Sequence, residues 1–206
     1  MKIPLRYQIT EYDCGPASLL NGLSFLFERE EIPPELVRYI TLYSLDSFGT
    51  DGTLGKNGTS HAAMMFLSHW LDSYGKTGLL DIQSEYLTGK AVNWGAESRL
   101  RSAVSCGGTA VVRVDLDSWH YVLITGVEGD TVRLFDPYLL PEPFPVPDVQ
   151  VIEDPALPYN RILPTGIFES EEIHPYAFGP YETREAVLLF NGRTRLTEEQ
   201  TVEYMI

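Results

Sequence analysis

The stretch QITEYDCGPASLLNGLSFLF, residues 8–27, places a cysteine at the start of an apolar helix pattern. From Asp13 onward apolar residues fall on nearly every side, which predicts a buried helix, and Pro16 fits its first turn. Cys14 would lie at the helix N-terminus, where free N–H groups and the helix dipole favour a thiolate. Most free cysteines are small buried hydrophobes, so this position alone leaves a structural and a catalytic Cys14 open.

The overall composition predicts one globular domain without a metal site. The chain has 206 residues and 44% apolar content, enough for a core that folds alone. Two cysteines cannot build a disulfide framework, and the four histidines lack zinc-type spacing. We therefore expect no structural metal.

Charge and hydropathy limit the possible partners. The N-terminal residues MKIPLRYQIT lack the apolar run of a signal peptide, and no stretch approaches the roughly 18 apolar residues of a membrane span. These features predict a soluble cytoplasmic protein. A formal charge of -14 would repel a phosphate backbone, so nucleic acid is a poor candidate partner and a basic peptide a better one.

Helix patterns precede strand patterns along the chain. Further helices are predicted at 33–45, 59–75 and 97–108, strands at 109–116, 120–127, 131–136 and 185–190, and a last helix at 197–206. This order predicts a single α+β domain, 1–206, with a helical part (about 1–107) packed on an antiparallel sheet part (about 108–206). A cleft between the parts would hold the site. A proline-rich insertion (139–180) has little predicted structure, and the glycine-rich loop 44–58 is a candidate lid.

His120 and Asp136 are the best candidates for a base and its orienting group. If residues 128–130 form a three-residue turn, Asp136 pairs opposite Val122 and lies diagonally beside His120. A carboxylate there could accept from one imidazole nitrogen and leave the other for a thiol. A two-residue turn would instead send the two side chains to opposite faces.

Gln8 is the candidate oxyanion donor. Its amide could point at a developing oxyanion, with the backbone N–H of Cys14 as the second donor. Taken alone, Gln8 could equally be an exposed polar residue of an N-terminal strand.

Together these residues resemble a known family. The pattern Q8-x5-C14-G-P-A, followed by H120-Y-V-L-I-T-G-V and F-D136-P, resembles the papain-like cysteine peptidases that process double-glycine bacteriocin leaders, and their free-standing relatives. The match extends over most of residues 5–138 and includes the segment GTSHAAMMFLSHW, which is similar to that family's Gly-x-Ser helix start. The insertion 139–180 and the C-terminal strand and helix lie outside it.

The resemblance implies a papain-like fold and a cofactor-free cysteine peptidase. Cys14 would be the nucleophile, His120 the general base and acid, Asp136 the orienting group and Gln8 the oxyanion donor. The substrate would be a peptide or protein, and a basic sequence or a glycine-rich leader is the feature expected of it. Gly107-Gly108 could be a self-cleavage site, although a helix C-cap is the simpler interpretation. Two other functions stay open: a thiol acyltransferase, cyclase or amidase on the same residues, and an inactive binding module.

Overall fold

The structure, a computed structural model, describes residues 2, 4–139 and 148–193. The described residues form five α-helices and seven β-strands. Two of the strands and one of the helices lie within the proline-rich insertion. In chain order they are α1 (Cys14–Leu26), α2 (Pro34–Ser44), α3 (His61–Gly75), β1 (Ile82–Thr88), α4 (Arg99–Ser105), β2 (Thr109–Asp115), β3 (Trp119–Glu128), β4 (Thr131–Phe135), β5 (Gln150–Val151), β6 (Arg161–Pro164), α5 (Thr165–Glu169) and β7 (Glu185–Asn191).

All seven strands belong to one antiparallel sheet, in the order β1-β7-β2-β3-β4-β6-β5. Helices α1, α2 and α3 bury their apolar residues against one face of this sheet. The other face is covered by α4, α5 and residues 176–178. Each face thus has its own core, and the predicted α+β class is confirmed.

Two parts of the sequence-based division are wrong in detail. Strand β1 lies inside the segment predicted to be helical. The sequence did not indicate it, because three consecutive polar residues, 83–85, interrupt the alternation of apolar and polar residues that marks a strand. The proline-rich insertion contains β5, β6 and α5 and is therefore not irregular throughout. The predicted final helix, 197–206, lies outside the described residues.

Helix α1 packs unusually close to the sheet, which fixes the position of its N-terminus. A Cβ on Gly22 would lie 2.6 Å from a methyl carbon of Leu189 in β7, so this approach requires glycine. Buried Ser18 donates a hydrogen bond of 3.0 Å to the backbone carbonyl of Tyr121 in β3. The helix is therefore joined to β3 one residue after His120.

A β-bulge sets the register between β3 and β4. The connecting turn has two residues, since Glu128 pairs with Thr131, and the predicted three-residue turn is wrong. The register shifts between Ile124 and Gly126, and the extra residue of this bulge compensates for the shorter turn. Beyond the bulge Leu123 pairs with Phe135, which places residue 136 opposite residue 122 as predicted. A two-residue turn and a bulge produce this register instead of a three-residue turn.

Gly107-Gly108 forms a helix cap. The N–H of Gly107 donates to Val104 and that of Gly108 to Ala103, the two hydrogen bonds of a Schellman motif. Gly107 has a φ of 91°, and a Cβ on Gly108 would lie 2.8 Å from the Phe190 ring. Both glycines are therefore explained by the end of α4, as the simpler interpretation predicted.

The glycine-rich loop 44–58 forms an isolated antiparallel bridge between Phe48 and Leu54. Both side chains are more than half exposed. Its function as a lid stays a prediction. Among the described residues, no helix combines the length and the apolar character needed to cross a membrane.

Candidate active site

Cys14 is the first residue of α1, and its side chain is buried apart from 8% of its surface. Its position at the start of α1 places it at the helix end that carries the free N–H groups. Thr59, just before α3, packs against the neighbouring Gly15 so closely that a Cβ there would lie 2.3 Å from the threonine Oγ1. The start of α3 therefore forms one wall beside the cysteine.

His120 and Asp136 form a buried pair at the adjoining end of β3 and β4. The histidine Nε2 donates to the aspartate Oδ1 at 2.7 Å, and the two residues are 7% and 0% exposed. This bond leaves the histidine Nδ1 for another partner. Cys14 lies near His120 and contributes to raising the pKa of the imidazole. The structure thus brings together three of the four residues selected from the sequence.

The electrostatics of the pair favour a charged imidazole. Burial alone would lower the pKa of His120, but the charge and hydrogen bond of Asp136, together with Cys14, raise it to about 10. Burial opposes ionisation of Asp136, yet the charge of His120 and three hydrogen bonds hold the pKa of Asp136 below its usual value. At neutral pH His120 is therefore an imidazolium, and it places a positive charge near Cys14.

The proline-rich insertion supplies the groups that hold Asp136. Tyr176, fully buried, donates its hydroxyl to the aspartate Oδ2 at 2.8 Å. Asn160 brackets the aspartate backbone: its Oδ1 accepts from the Asp136 N–H and its Nδ2 donates to the Asp136 carbonyl, both at 2.8 Å. The backbone N–H of Tyr138 donates to Oδ1 at 2.8 Å. Asp136 is thus fixed in position and ionised.

Sequence reasoning missed Asn160 and Tyr176. Neither belongs to the matched motifs, and both lie in a segment whose composition suggested irregular structure. Tyr176 has a φ of 67°, which is rare for a tyrosine and costs conformational energy. Such strain at a side chain that touches the candidate catalytic aspartate points to a positioning residue.

Replacing Tyr176 with phenylalanine is expected to lower the rate of a reaction at Cys14 about tenfold. It should lower the free energy of unfolding by about 1–3 kcal/mol, because a buried carboxylate loses a hydrogen-bond donor. The Tyr176 hydrogen bond lowers the pKa of Asp136, so its loss raises that pKa and moves the acid limb of the activity profile to higher pH. The measurement is a pH–rate profile. Tyr181→Phe is the matched control, since the ring of Tyr181 packs on Arg184 and no hydrogen bond of its hydroxyl is found among the described residues. An unshifted acid limb in Tyr176→Phe would show a merely structural tyrosine.

Gln8 lies beside the strand end that carries Asp136, because its backbone N–H donates to the carbonyl of Pro137 at 2.8 Å. Its side-chain Nε2 donates to the carbonyl of Thr10 at 2.8 Å, which occupies one of the two amide hydrogens. The amide Oε1 is enclosed and has no hydrogen-bond partner among the described residues. The other amide hydrogen has no acceptor among the described residues and could serve an oxyanion. The oxyanion role of Gln8 stays a prediction.

Asp13 is the N-cap residue of α1, but its side chain makes no capping hydrogen bond to the helix backbone. Its carboxylate accepts from the N–H of Ile9 at 3.1 Å and from the N–H and hydroxyl of Thr10, both at 2.7 Å. These bonds hold the loop between Gln8 and Cys14 in one shape. Asp13 therefore positions the Thr10 carbonyl that orients the Gln8 amide.

Removing the Gln8 amide provides a test that separates the oxyanion role from a structural one. Gln8→Ala should slow acylation of Cys14 by p-nitrophenyl acetate by roughly 10²-fold, because that step develops an oxyanion. Alkylation by iodoacetamide, which develops none, should keep its rate. Gln150→Ala removes an exposed glutamine on β5 and serves as the matched control. Equal slowing of both reactions in Gln8→Ala would rule out the oxyanion role.

The candidate site lies where the buried helix α1 meets the antiparallel sheet. The cysteine begins a buried helix, the histidine and its carboxylate lie on an antiparallel sheet, and they meet between the helical part and the sheet. Among the described residues, no three histidine, cysteine, aspartate or glutamate side chains are grouped so that they could hold a metal ion.

Several chains among the solved structures are similar to this one, and two of them are peptidase domains. The peptidase domain of Streptococcus ComA, a bifunctional ABC transporter involved in quorum sensing, has 15% identity and a TM-score of 0.46, over 91% of this chain and 97% of that domain. The corresponding domain of Streptococcus mutans ComA has 13% identity and a TM-score of 0.38, over 90% and 98%. No protein-family model matches the chain, and no curated protein matches it.

Proposed function

We propose that this protein is a cysteine peptidase that cleaves a peptide bond through a thioester on Cys14. The observation that carries the proposal is the buried pair of His120 and Asp136, joined at 2.7 Å, next to a cysteine at a helix N-terminus. Asp136 raises the pKa of His120, and the resulting imidazolium stabilises the nucleophilic thiolate. These are the parts that nucleophilic acyl transfer requires.

The proposed reaction has two steps. The Cys14 thiolate attacks the amide carbonyl, and the oxyanion is stabilised by the backbone N–H of Cys14 and the amide of Gln8. His120 donates its proton to the departing amine, and a thioester remains on the sulfur. His120 then accepts a proton from water as that water attacks the thioester, which releases the acid and regenerates the thiolate. No step requires a cofactor.

The proposed substrate is a segment of a peptide or protein. An apolar groove of about 370 Å³ lies between the N-terminal segment, α1 and α2, and Gln8 is part of its lining. A groove of this size next to the proposed oxyanion donor can hold apolar substrate side chains. The formal charge of -14 favours basic residues farther along the substrate.

Product analysis tests the proposal directly. The protein is incubated with a peptide mixture in ¹⁸O-labelled water, and new peptide termini are read by mass spectrometry. Hydrolysis predicts new carboxyl termini that carry one ¹⁸O from the solvent, and their absence with Cys14→Ala. New amide linkages without ¹⁸O would instead identify an acyltransferase on the same residues. Equal cleavage by the native protein and Cys14→Ala would overturn both.

A further inference from the structure

A second network of charged groups lies on the sheet face that packs α1. Arg113 of β2 pairs with Tyr121 of β3, and the register of β2 with β7 places Glu185 at the other side of Arg113. They share this face with core residues of the same strands, such as Val111. They form a polar row where the apolar core ends.

The network is adjacent to the candidate nucleophile. Tyr121 follows His120 in β3 and belongs to the same buried cluster as Cys14. From the helical side, His61 begins α3, two residues after the threonine that packs on Gly15. The network therefore borders Cys14 on the side of α3 and β7, while Asp136 and the insertion lie toward β4 and β6.

Glu185 is held as the fixed centre of the network. It is 1% exposed, its Oε2 accepts from the Tyr86 hydroxyl at 2.6 Å and from His61 Nδ1 at 2.8 Å, and its Oε1 accepts from the Tyr121 hydroxyl. All of these donors come from the protein. Because Glu185 is also almost completely buried, its carboxylate is not accessible to a substrate.

The exposed edge of the network is cationic. A guanidinium can only donate, so His61 Nε2 accepts the hydrogen bond of 2.5 Å from Arg113 Nη1, while His61 Nδ1 donates to Glu185. The same Nη1 donates to the carbonyl of Thr183 at 3.0 Å, and the guanidinium lies 4.3 Å from the Trp119 ring centre. The guanidinium is thus held by neutral partners.

The side of the guanidinium made of Nε and Nη2 is open. Within the described part of the chain, neither group has a hydrogen-bond acceptor, and no carboxylate lies within 4 Å of Arg113. Two parallel N–H groups are the geometry that binds a carboxylate through both oxygens. The side chain of His61 is 51% exposed, so solvent reaches this edge.

We propose that Arg113, oriented by His61 and Trp119, forms a subsite for a substrate carboxylate beside the bond that Cys14 attacks. The proposal rests on the proposed function, because it places this group on a substrate of Cys14. The carboxylate belongs either to an acidic side chain or to the C-terminus of a short peptide. Within a chain of formal charge -14, this local contact dominates at hydrogen-bond distance, because salt screens the more distant charges.

Matched alkylating probes test the subsite without a known substrate. The probes are N-iodoacetylglutamate α-amide, with a side-chain carboxylate, N-iodoacetylalanine, with a terminal carboxylate, and the neutral N-iodoacetylglutamine α-amide and N-iodoacetylalaninamide. The rate of Cys14 modification is read by peptide mass spectrometry. One carboxylate probe should react about tenfold faster than its neutral counterpart, and which one does so identifies the source of the carboxylate.

Charge variants assign the effect to the guanidinium. In Arg113→Gln, the carboxylate probe should modify Cys14 no faster than its neutral counterpart. In Arg113→Lys, the carboxylate probe should keep part of its advantage in rate. In the native protein, 0.5 M NaCl should lower the ratio of carboxylate to neutral rates, a measurement that does not depend on the folding of a variant. A native ratio of one or less for both pairs, or a ratio unchanged in Arg113→Gln, would overturn the subsite.

Failure of the subsite can be distinguished from failure of the proposed function. The ratio between probes at Cys14 tests the carboxylate subsite. The ratio of Cys14 to Cys106 modification by a neutral probe tests the activated nucleophile, because Cys106 lies at the far end of α4.

Discussion

Replacing Cys14 with alanine is expected to abolish peptide hydrolysis, with a loss of at least about 10⁴-fold, because no thioester can form without the sulfur. The fold should survive. The side chain is small, and the neighbouring hydrogen bond from Ser18 to β3 remains. The measurements are the rate of ¹⁸O-labelled product formation and the thermal unfolding midpoint.

Cys106→Ala is the matched control for this variant. Cys106 caps the end of α4 and is the other cysteine of the chain, so its replacement should leave hydrolysis at the native rate. Residual hydrolysis by Cys14→Ala above a tenth of the native rate would exclude the thioester mechanism.

The second large effect is expected at His120, whose replacement by glutamine removes both the base and the charge that faces Asp136. Hydrolysis should fall by about 10⁴-fold. The variant should also be less stable, since a buried aspartate loses its cationic partner at a cost on the order of a few kcal/mol.

The pH dependence of this stability difference follows from the pKa of His120. That pKa is raised from about 6.5 in the unfolded chain to about 10 in the folded protein, so the folded state binds the proton more tightly. Its contribution to the free energy of unfolding is complete below about pH 6.5 and is lost as the pH rises towards 10. The lowered pKa of Asp136 confines its own contribution to pH values above about 4, where an unfolded aspartate is ionised.

Urea unfolding of the native protein and His120→Gln at several pH values checks this prediction. The difference in free energy of unfolding should be largest near pH 6 and shrink by pH 9.5. A difference that stays constant from pH 6 to pH 9.5 would contradict an ionised pair in the folded protein.

The residues that meet at the site could be found from the sequence because each begins or ends a strongly patterned element. Cys14 starts the buried helix, His120 lies near the start of β3, and Asp136 directly follows β4. The turn between the two strands could not be found this way. The bulge between Ile124 and Gly126 leaves no distinctive signal in a strand of β-branched residues, yet it sets the face on which Asp136 lies.

The support around the site was beyond sequence reasoning for a different physical reason. Asn160 and Tyr176 reach Asp136 through tertiary contacts across 24 and 40 residues, in a segment without a periodic pattern. The carboxylate of Glu185 is similarly surrounded by donors from separate strands and from α3. Such contacts depend on how elements pack, which local patterns do not encode.

The most direct test of the central claim is the rate of alkylation of Cys14 by iodoacetamide at pH 6, with Cys106 in the same molecule as the reference. A thiolate stabilised by the His120 imidazolium predicts that Cys14 reacts at least about tenfold faster than Cys106, and that His120→Gln removes this advantage. Reaction of Cys14 no faster than Cys106 in the native protein would contradict the account.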